Sequence, residues 1–199
     1  MEKYFTEKII GEPCVRATNS PVDINEMILR VLSTISYSHL MNTKGRTKKT
    51  GILLERSWQS EFIKAIYQCT TKDMYISSDV GGIYECRGFI DFTVHSEETD
   101  IFWGIELLRE ADKFDEHIGR FKDNGRYELL SRKFTDYCMI DFRKVNGNPK
   151  ADDLQIFKDD LAKCNGVNLK LYVLFYDEDF NLQLFSYSNP SGIQIQQLY

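Results

Sequence analysis

The chain lacks a long apolar run. No stretch approaches the ~20 consecutive apolar residues that a bilayer-crossing helix needs. The mean hydropathy is −0.38, so a soluble globular protein without a membrane span is expected. Its start, MEKYFTEKIIGEP, holds no apolar core of the signal-peptide kind. It also lacks paired cysteines. Cys14, Cys69, Cys86, Cys138 and Cys164 are odd in number and widely spaced, with no CxxC. That spacing argues for reduced thiols in an intracellular protein, nuclear or cytoplasmic, and against a zinc site. Histidine is scarce: His39 and His95 have no acid or cysteine at ligand spacing, and His117 has no second histidine near it. No GxGxxG, GxxxxGK[ST] or GxSxG occurs, which excludes the common nucleotide-binding and α/β-hydrolase motifs. Ser57 and Ser60 have no adjacent histidine to activate them. Excess positive charge is missing too, since the net charge is −5. It is unevenly spread. Residues 1–50 hold 8 Lys/Arg and 5 Asp/Glu, against 17 and 25 in the rest.

What is present is 199 residues with 42% hydrophobic and 13% aromatic content, enough for one sizeable core with an N-terminal appendage. The chain is organised around residues 87–120. A first strand, Arg87–His95, carries Asp91 in GFIDF. A polar turn, Ser96–Thr99, follows, then a second strand, Ile101–Leu108, carrying Glu106 in FWGIELL. A helix is expected from Lys113 to Phe121. A carboxylate in an otherwise apolar strand costs several kcal/mol unless paired or bound to a metal. Two such carboxylates on adjacent strands suggest a divalent-metal site.

Before this block, Asp23-Ile-Asn-Glu26 resembles a capping box and predicts a helix to His39, with Ile24, Ile28, Val31, Leu32 and Ile35 as its apolar stripe. Residues 41–51 read as a polar loop in which Lys44, Arg46, Lys48 and Lys49 suit phosphates as well as they suit solvent. A second helix, Leu53–Cys69, turns Trp58, Phe62, Ala65 and Ile66 inward. Glu61, three residues from Trp58 and four from Ala65, sits at the edge of that face. Met74–Asp79 reads as a short strand. After the central block come a loop at Gly125-Arg-Tyr127, a strand at Asp136–Arg143 and a helix at Asp153–Lys163. Strands at Leu169–Tyr176 and Leu182–Tyr187 follow, with an alternating tail from Ile193. The order predicts an α/β domain, residues 51–199, with a mixed central sheet flanked by helices, preceded by a helical extension and basic loop, residues 1–50.

Asp91 and Glu106 would share a metal such as Mg²⁺ or Mn²⁺ if their strands pair with both side chains on one face, since this hard cation takes oxygen ligands and keeps several waters. Glu61 fits as a third ligand or as the residue that orients a water. The plainer alternative pairs the two carboxylates with Arg87 or Arg109. Lys113, His117 and Arg120, at i, i+4 and i+7, share one helix face and would hold an anionic substrate and stabilise its transition state. The alternative is a solvated face with Glu116–Arg120 as an i, i+4 pair.

An inward glutamate on a helix, then an aspartate on one strand and a glutamate on the next, resembles the PD-(D/E)XK, restriction-endonuclease-like superfamily, with Glu61, Asp91 and Glu106 as the counterparts. The phrases LLERSWQSEF, GFIDFTV, WGIELLREADKFDEHIGRF, GRY and MIDFR, in that order, are similar to the nuclease-like domains of Crinkler effectors and their fungal relatives. The resemblance covers roughly Asp23 to Tyr187. It implies a metal-dependent nuclease acting on nucleic acid, DNA favoured over RNA, in which the metal activates a water and neutralises the scissile phosphate. It leaves a homodimer open. The family usually has a lysine two residues after the glutamate, where this chain has Leu108. Either Arg109, His117 and Arg120 share that role, or the chain keeps the fold as a non-cleaving module that binds nucleic acid or a protein. No LxLFLAK-like header is present, so a stand-alone nuclease-like protein is expected.

Overall fold

A computed structural model describes residues 17–43, 51–81 and 88–196. The chain divides into an N-terminal unit reaching Met74, with which Gln196 groups, and a sheet unit from Tyr75 to Ile195.

The N-terminal unit holds α1 (Ile24–Thr34), α2 (Tyr37–Asn42) and α3 (Glu55–Cys69). Asp23 caps α1 by accepting from the Glu26 N–H at 2.8 Å. Glu26 reaches back one residue beyond the usual partner, to the Val22 N–H. The helix expected to reach His39 ends at Thr34, with Ile35 extended. Ser33, Thr34, Ile35 and Ser36 are β-branched or hydroxyl-bearing and hold a helix poorly. Thr34 donates its hydroxyl back to the Arg30 carbonyl, and the buried Tyr37 phenol takes the Leu32 carbonyl at 2.6 Å. The apolar face of α3 is buried as its periodicity requires: Trp58, Phe62, Ala65, Ile66 and Cys69. Tyr37 packs edge-on against Trp58.

The sheet unit is a mixed sheet of seven strands in the order β1 to β7. These are β1 (Tyr75–Val80), β2 (Ile90–Ser96), β3 (Ile101–Arg109), β4 (Asp136–Lys144), β5 (Lys170–Tyr176), β6 (Leu182–Ser186) and β7 (Ile193–Gln194). β1–β3 form an antiparallel meander, β3, β4 and β5 run parallel, and β6 and β7 return antiparallel. The β3–β4 crossover carries α4 (Phe114–Phe121) and a short α5 (Glu128–Ser131); the β4–β5 crossover carries α6 (Ala151–Asn165). The loop expected at Gly125-Arg-Tyr127 is present, and the short helix α5, which the sequence pattern does not announce, follows it directly.

Crossovers of one hand that step in the same direction put their helices on the same face, and α4 and α6 share one core. Phe114, Ile118 and Phe121 of α4 and Phe157 and Cys164 of α6 pack with Leu108, Met139, Leu171, Val173, Phe175 and Phe185 from the sheet. Gly104 leaves room for this core: a Cβ there would lie 2.4 Å from Phe134. The expected α/β architecture with a mixed sheet flanked by helices is therefore present. The strand expected at Arg87–His95 starts later, at Ile90. Arg87 and the basic loop Lys44–Lys49 lie outside the described residues.

Candidate functional site

Asp91 and Glu106 are brought side by side. The antiparallel β2–β3 ladder is paired as far as Phe92 and Ile105, so one further step sets Asp91 across from Glu106. There the Asp91 carboxylate replaces a backbone acceptor, taking the Leu107 N–H on Oδ2 at 2.7 Å. This use of a side chain in place of a ladder bond keeps the buried Leu107 N–H satisfied.

Glu106 is 2% exposed and sits beneath α4. Its Oε1 accepts from Arg120 Nη1 at 2.7 Å and faces His117 Nδ1 at 2.9 Å. An imidazole nitrogen at that distance from a carboxylate carries the proton. Tyr127 closes the cluster. Its hydroxyl lies 3.3–3.4 Å from both Glu106 oxygens, but its single proton goes to the Phe89 carbonyl at 2.6 Å. Burial first, then the Glu106 charge, with a smaller contribution from Asp91, pushes the Tyr127 phenol well above its ordinary range against the pull of Arg120. Arg120 also reaches Glu116 at 3.3 Å and stacks near the Tyr127 ring, while its buried Nε has no hydrogen-bond partner among the described residues. Spacing had put His117 and Arg120 on one face, and that face points at Glu106.

The loop before α4 sets this geometry. Glu110, Ala111 and Lys113 all adopt the left-handed region, with φ of 54°, 52° and 53°, a conformation that costs non-glycine residues about 1–3 kcal/mol each. Three bonds to β4 hold the turn. Glu110 N–H donates to the Phe142 carbonyl, the Lys144 N–H donates to Glu110 Oε1 at 2.8 Å, and the Ala111 N–H donates to Asp141 Oδ1 at 3.1 Å. Asp141 is itself fully buried and bridged by Arg143 to Asp160 of α6, at 2.6 and 2.7 Å. Burial raises the Asp141 carboxyl despite Arg143 beside it.

Sequence reasoning missed two members of these clusters. Tyr127 was read only as part of a loop. Asp141 was read only within an apolar strand with a charged end, although it carries the same signal as Asp91 and Glu106, an acid inside an apolar strand.

The other site candidates each have their own surroundings. Arg109 ends β3 opposite Phe142, on the other pleat from Glu106, and its charge acts on Glu110. The partner of Glu106 is thus Arg120, not Arg109. Leu108, where a lysine would be expected from the resemblance, is 1% exposed and belongs to the core under α4. Lys113 caps α4 from an exposed position. Glu61 belongs to the N-terminal unit, where it is buried and its Oε1 meets His39 Nδ1 at 2.9 Å and Lys64 Nζ at 2.7 Å.

As arranged, the donor set of Asp91 and Glu106 does not fit a divalent cation. Mg²⁺ needs carboxylate oxygens open to it and room for its waters. Here one Glu106 oxygen accepts from a guanidinium and an imidazole in a buried site. Among the described residues no group of three His, Cys, Asp or Glu side chains is arranged to hold a metal ion. No helix among them is long and apolar enough to cross a membrane. Comparison of the chain with protein-family models, with curated proteins and with solved structures finds no match.

Proposed function

We propose that the sheet unit is a restriction-endonuclease-like domain that has kept the carboxylate pair as an internal ion-pair cluster and binds nucleic acid without cleaving it. The observation that carries this reading is the state of Glu106, held by Arg120 and His117 at 2.7 and 2.9 Å in a buried site. The burial of Leu108 at the lysine position agrees with it, because no cation then stands beside the pair on its own strand face. The order of three antiparallel strands, a helical crossover and a parallel fourth strand supports the family reading. The binding surface would be the open side of α4. Lys113, Arg120 and Arg126 act together on Glu116, and with the Arg120 hydrogen bond leading they hold its carboxyl below the usual range. The aromatic Phe89, 61% exposed, leads into β2 nearby and offers a ring for a base to stack on.

The second reading, metal-dependent phosphodiester hydrolysis, rests on the adjacency of Asp91 and Glu106 at the end of the β2–β3 ladder. A bound Mg²⁺ would supply a nucleophilic water and neutralise phosphate charge; His117 and Arg120 would first have to leave Glu106.

One experiment separates the two. Supercoiled plasmid and single-stranded RNA are incubated with the protein in Mg²⁺, Mn²⁺ or EDTA, beside an Asp91→Ala/Glu106→Gln variant, and binding to labelled duplex is followed by anisotropy over a salt series. The expected result is no metal-dependent cutting, with binding that persists in EDTA, falls with salt and weakens in Lys113→Ala/Arg126→Ala. Cutting by the wild type alone, lost in the carboxylate variant, would replace this reading with the second.

A further inference from the structure

The N-terminal unit carries a cleft that the nuclease-like reading leaves unused. It has a volume of about 490 Å³ and is lined from α2 by His39 and from α3 by Arg56, Ser57, Ser60, Glu61 and Lys64. That volume falls within the ~300–1,000 Å³ of small-ligand sites. The α3 residues lie at spacings of three and four: Arg56, Ser60 and Lys64 form one row, and Ser57, Glu61 and Lys64 the next. They therefore make one continuous polar strip, while the opposite side of the helix is buried in the core.

The charges favour an anion. Glu61 is the one carboxylate among the described lining residues, which also hold two permanent cations, Arg56 and Lys64. Its Oε1 draws in both Lys64 Nζ and His39 Nδ1, which fixes the ammonium and the ring at the wall of the cleft. An ammonium has three donors, so Lys64 keeps protons to offer a ligand after its bond to Glu61. Arg56 is exposed and makes no ion pair among the described residues. Its planar fork matches two oxygens of a phosphoryl group. Ser60 adds a hydroxyl that rotates to suit, and Ser57 lines the wall beside it. Leu54, 42% exposed, borders the same cleft and gives an apolar surface to whatever the phosphoryl group is attached to. A metal cation is disfavoured, because the one carboxylate among the described lining residues is already bonded to an ammonium.

We infer that this cleft is a binding site for a phosphoryl group, with Arg56 and Lys64 as its charge partners, Ser60 as a neutral donor, and Glu61 as the residue that positions Lys64 and His39. The assignment is independent of what the sheet unit does.

The test is a titration of the full ¹⁵N-labelled chain with inorganic phosphate, against sodium chloride at equal ionic strength. Parallel arms use a dinucleotide carrying a 5′-phosphate and the same dinucleotide ending in a 5′-hydroxyl. Saturable shifts centred on Ser57, Ser60, Lys64 and the His39 ring are expected. They should weaken at least tenfold in Arg56→Ala/Lys64→Gln, whose changes leave the buried side of α3 untouched and the remaining spectrum intact. Equal affinity for inorganic phosphate and the 5′-phosphorylated dinucleotide identifies free phosphate as sufficient. Tighter binding of the 5′-phosphorylated dinucleotide than of inorganic phosphate identifies a nucleic-acid end as the source. Shifts that match chloride, fail to saturate, survive the double substitution, or are the same for both dinucleotides overturn the inference.

Discussion

Removing Arg120 should expose how much of the sheet unit depends on the Glu106 cluster. Arg120→Ala leaves a carboxylate that is 2% exposed with only His117 and the edge of the Tyr127 hydroxyl for company. Breaking one side of a buried ion pair costs about 3–5 kcal/mol. The Arg120 side chain is 18% exposed and His117 remains at 2.9 Å, so we expect a value at or just below the bottom of that range, about 2–3 kcal/mol. For a chain of this size that corresponds to a fall in Tm of roughly 5–10 °C. Adding Glu106→Gln to Arg120→Ala should return about 1 kcal/mol or more, because the uncompensated buried charge is then gone. The assay is urea unfolding followed by the fluorescence of Trp103, which lies in β3, in a Trp58→Phe background that silences the N-terminal unit. The slope of the free energy on urea should stay constant, marking a change in stability alone. If Arg120→Ala lies within about 0.5 kcal/mol of its parent, or if the second substitution adds its own cost on top of the first, Glu106 is not held as described and the proposed non-cleaving role loses its basis.

Other outcomes follow from the same contacts. Burial raises the Glu110 carboxyl above its ordinary value, against the Lys144 N–H that lowers it. A carboxylate raised in the folded state contributes stability below its unfolded pKa of about 4.3, and that contribution is lost as pH rises through the folded value. Glu110→Gln keeps the acceptor for Lys144, so the melting temperature should rise at pH 7 and stay unchanged near pH 3.5. Cys69, Cys138 and Cys164 are buried, and burial pushes the Cys164 thiol up to about 12. In a Cys14→Ser/Cys86→Ser variant, thiol labelling at pH 8 should therefore proceed no faster than unfolding; immediate labelling would contradict the described packing. Gly104→Ala forces a methyl to within 2.4 Å of the Phe134 ring and should cost about 1–3 kcal/mol as overpacking, with partial recovery in Gly104→Ala/Phe134→Leu; an unchanged single variant would show that the ring moves aside freely.

The fold was legible where burial and periodicity agree. The apolar face of α3, the strands β2 to β6 and the α6 stripe through Phe157 and Cys164 all lie within a few residues of where the pattern put them. The break between α1 and α2 was not legible from hydrophobicity, because Ile35 continues the apolar stripe even though the backbone leaves the helix there. Propensity, a run of hydroxyl and β-branched residues, was the better guide at that point. The site was half legible. Asp91 and Glu106 stood out as acids in apolar strands, and helical spacing aligned His117 with Arg120. Direction was the missing information: nothing in a linear pattern says that the His117–Arg120 face turns down onto Glu106 instead of out to solvent. That depends on three left-handed residues after β3 and their bonds to β4, and left-handed backbone at Glu110, Ala111 and Lys113 leaves no glycine in the sequence to announce it.

The sheet's strand order repeats the order of the chain, and this bears on how the unit is made. No strand has to slide between two that are already paired. As the polypeptide emerges, each new strand finds its template in the one just finished, so the sheet can lengthen by accretion from β1 toward β7. Pairings that join near neighbours in sequence lose less loop entropy than distant ones and favour rapid folding. The two parallel joins, where α4, α5 and α6 must be placed before the next strand can dock, are then the slow passages. A nascent chain arrested after β3 should hold a hairpin meander with its apolar edge still waiting for β4, the stage most in need of protection from other exposed edges.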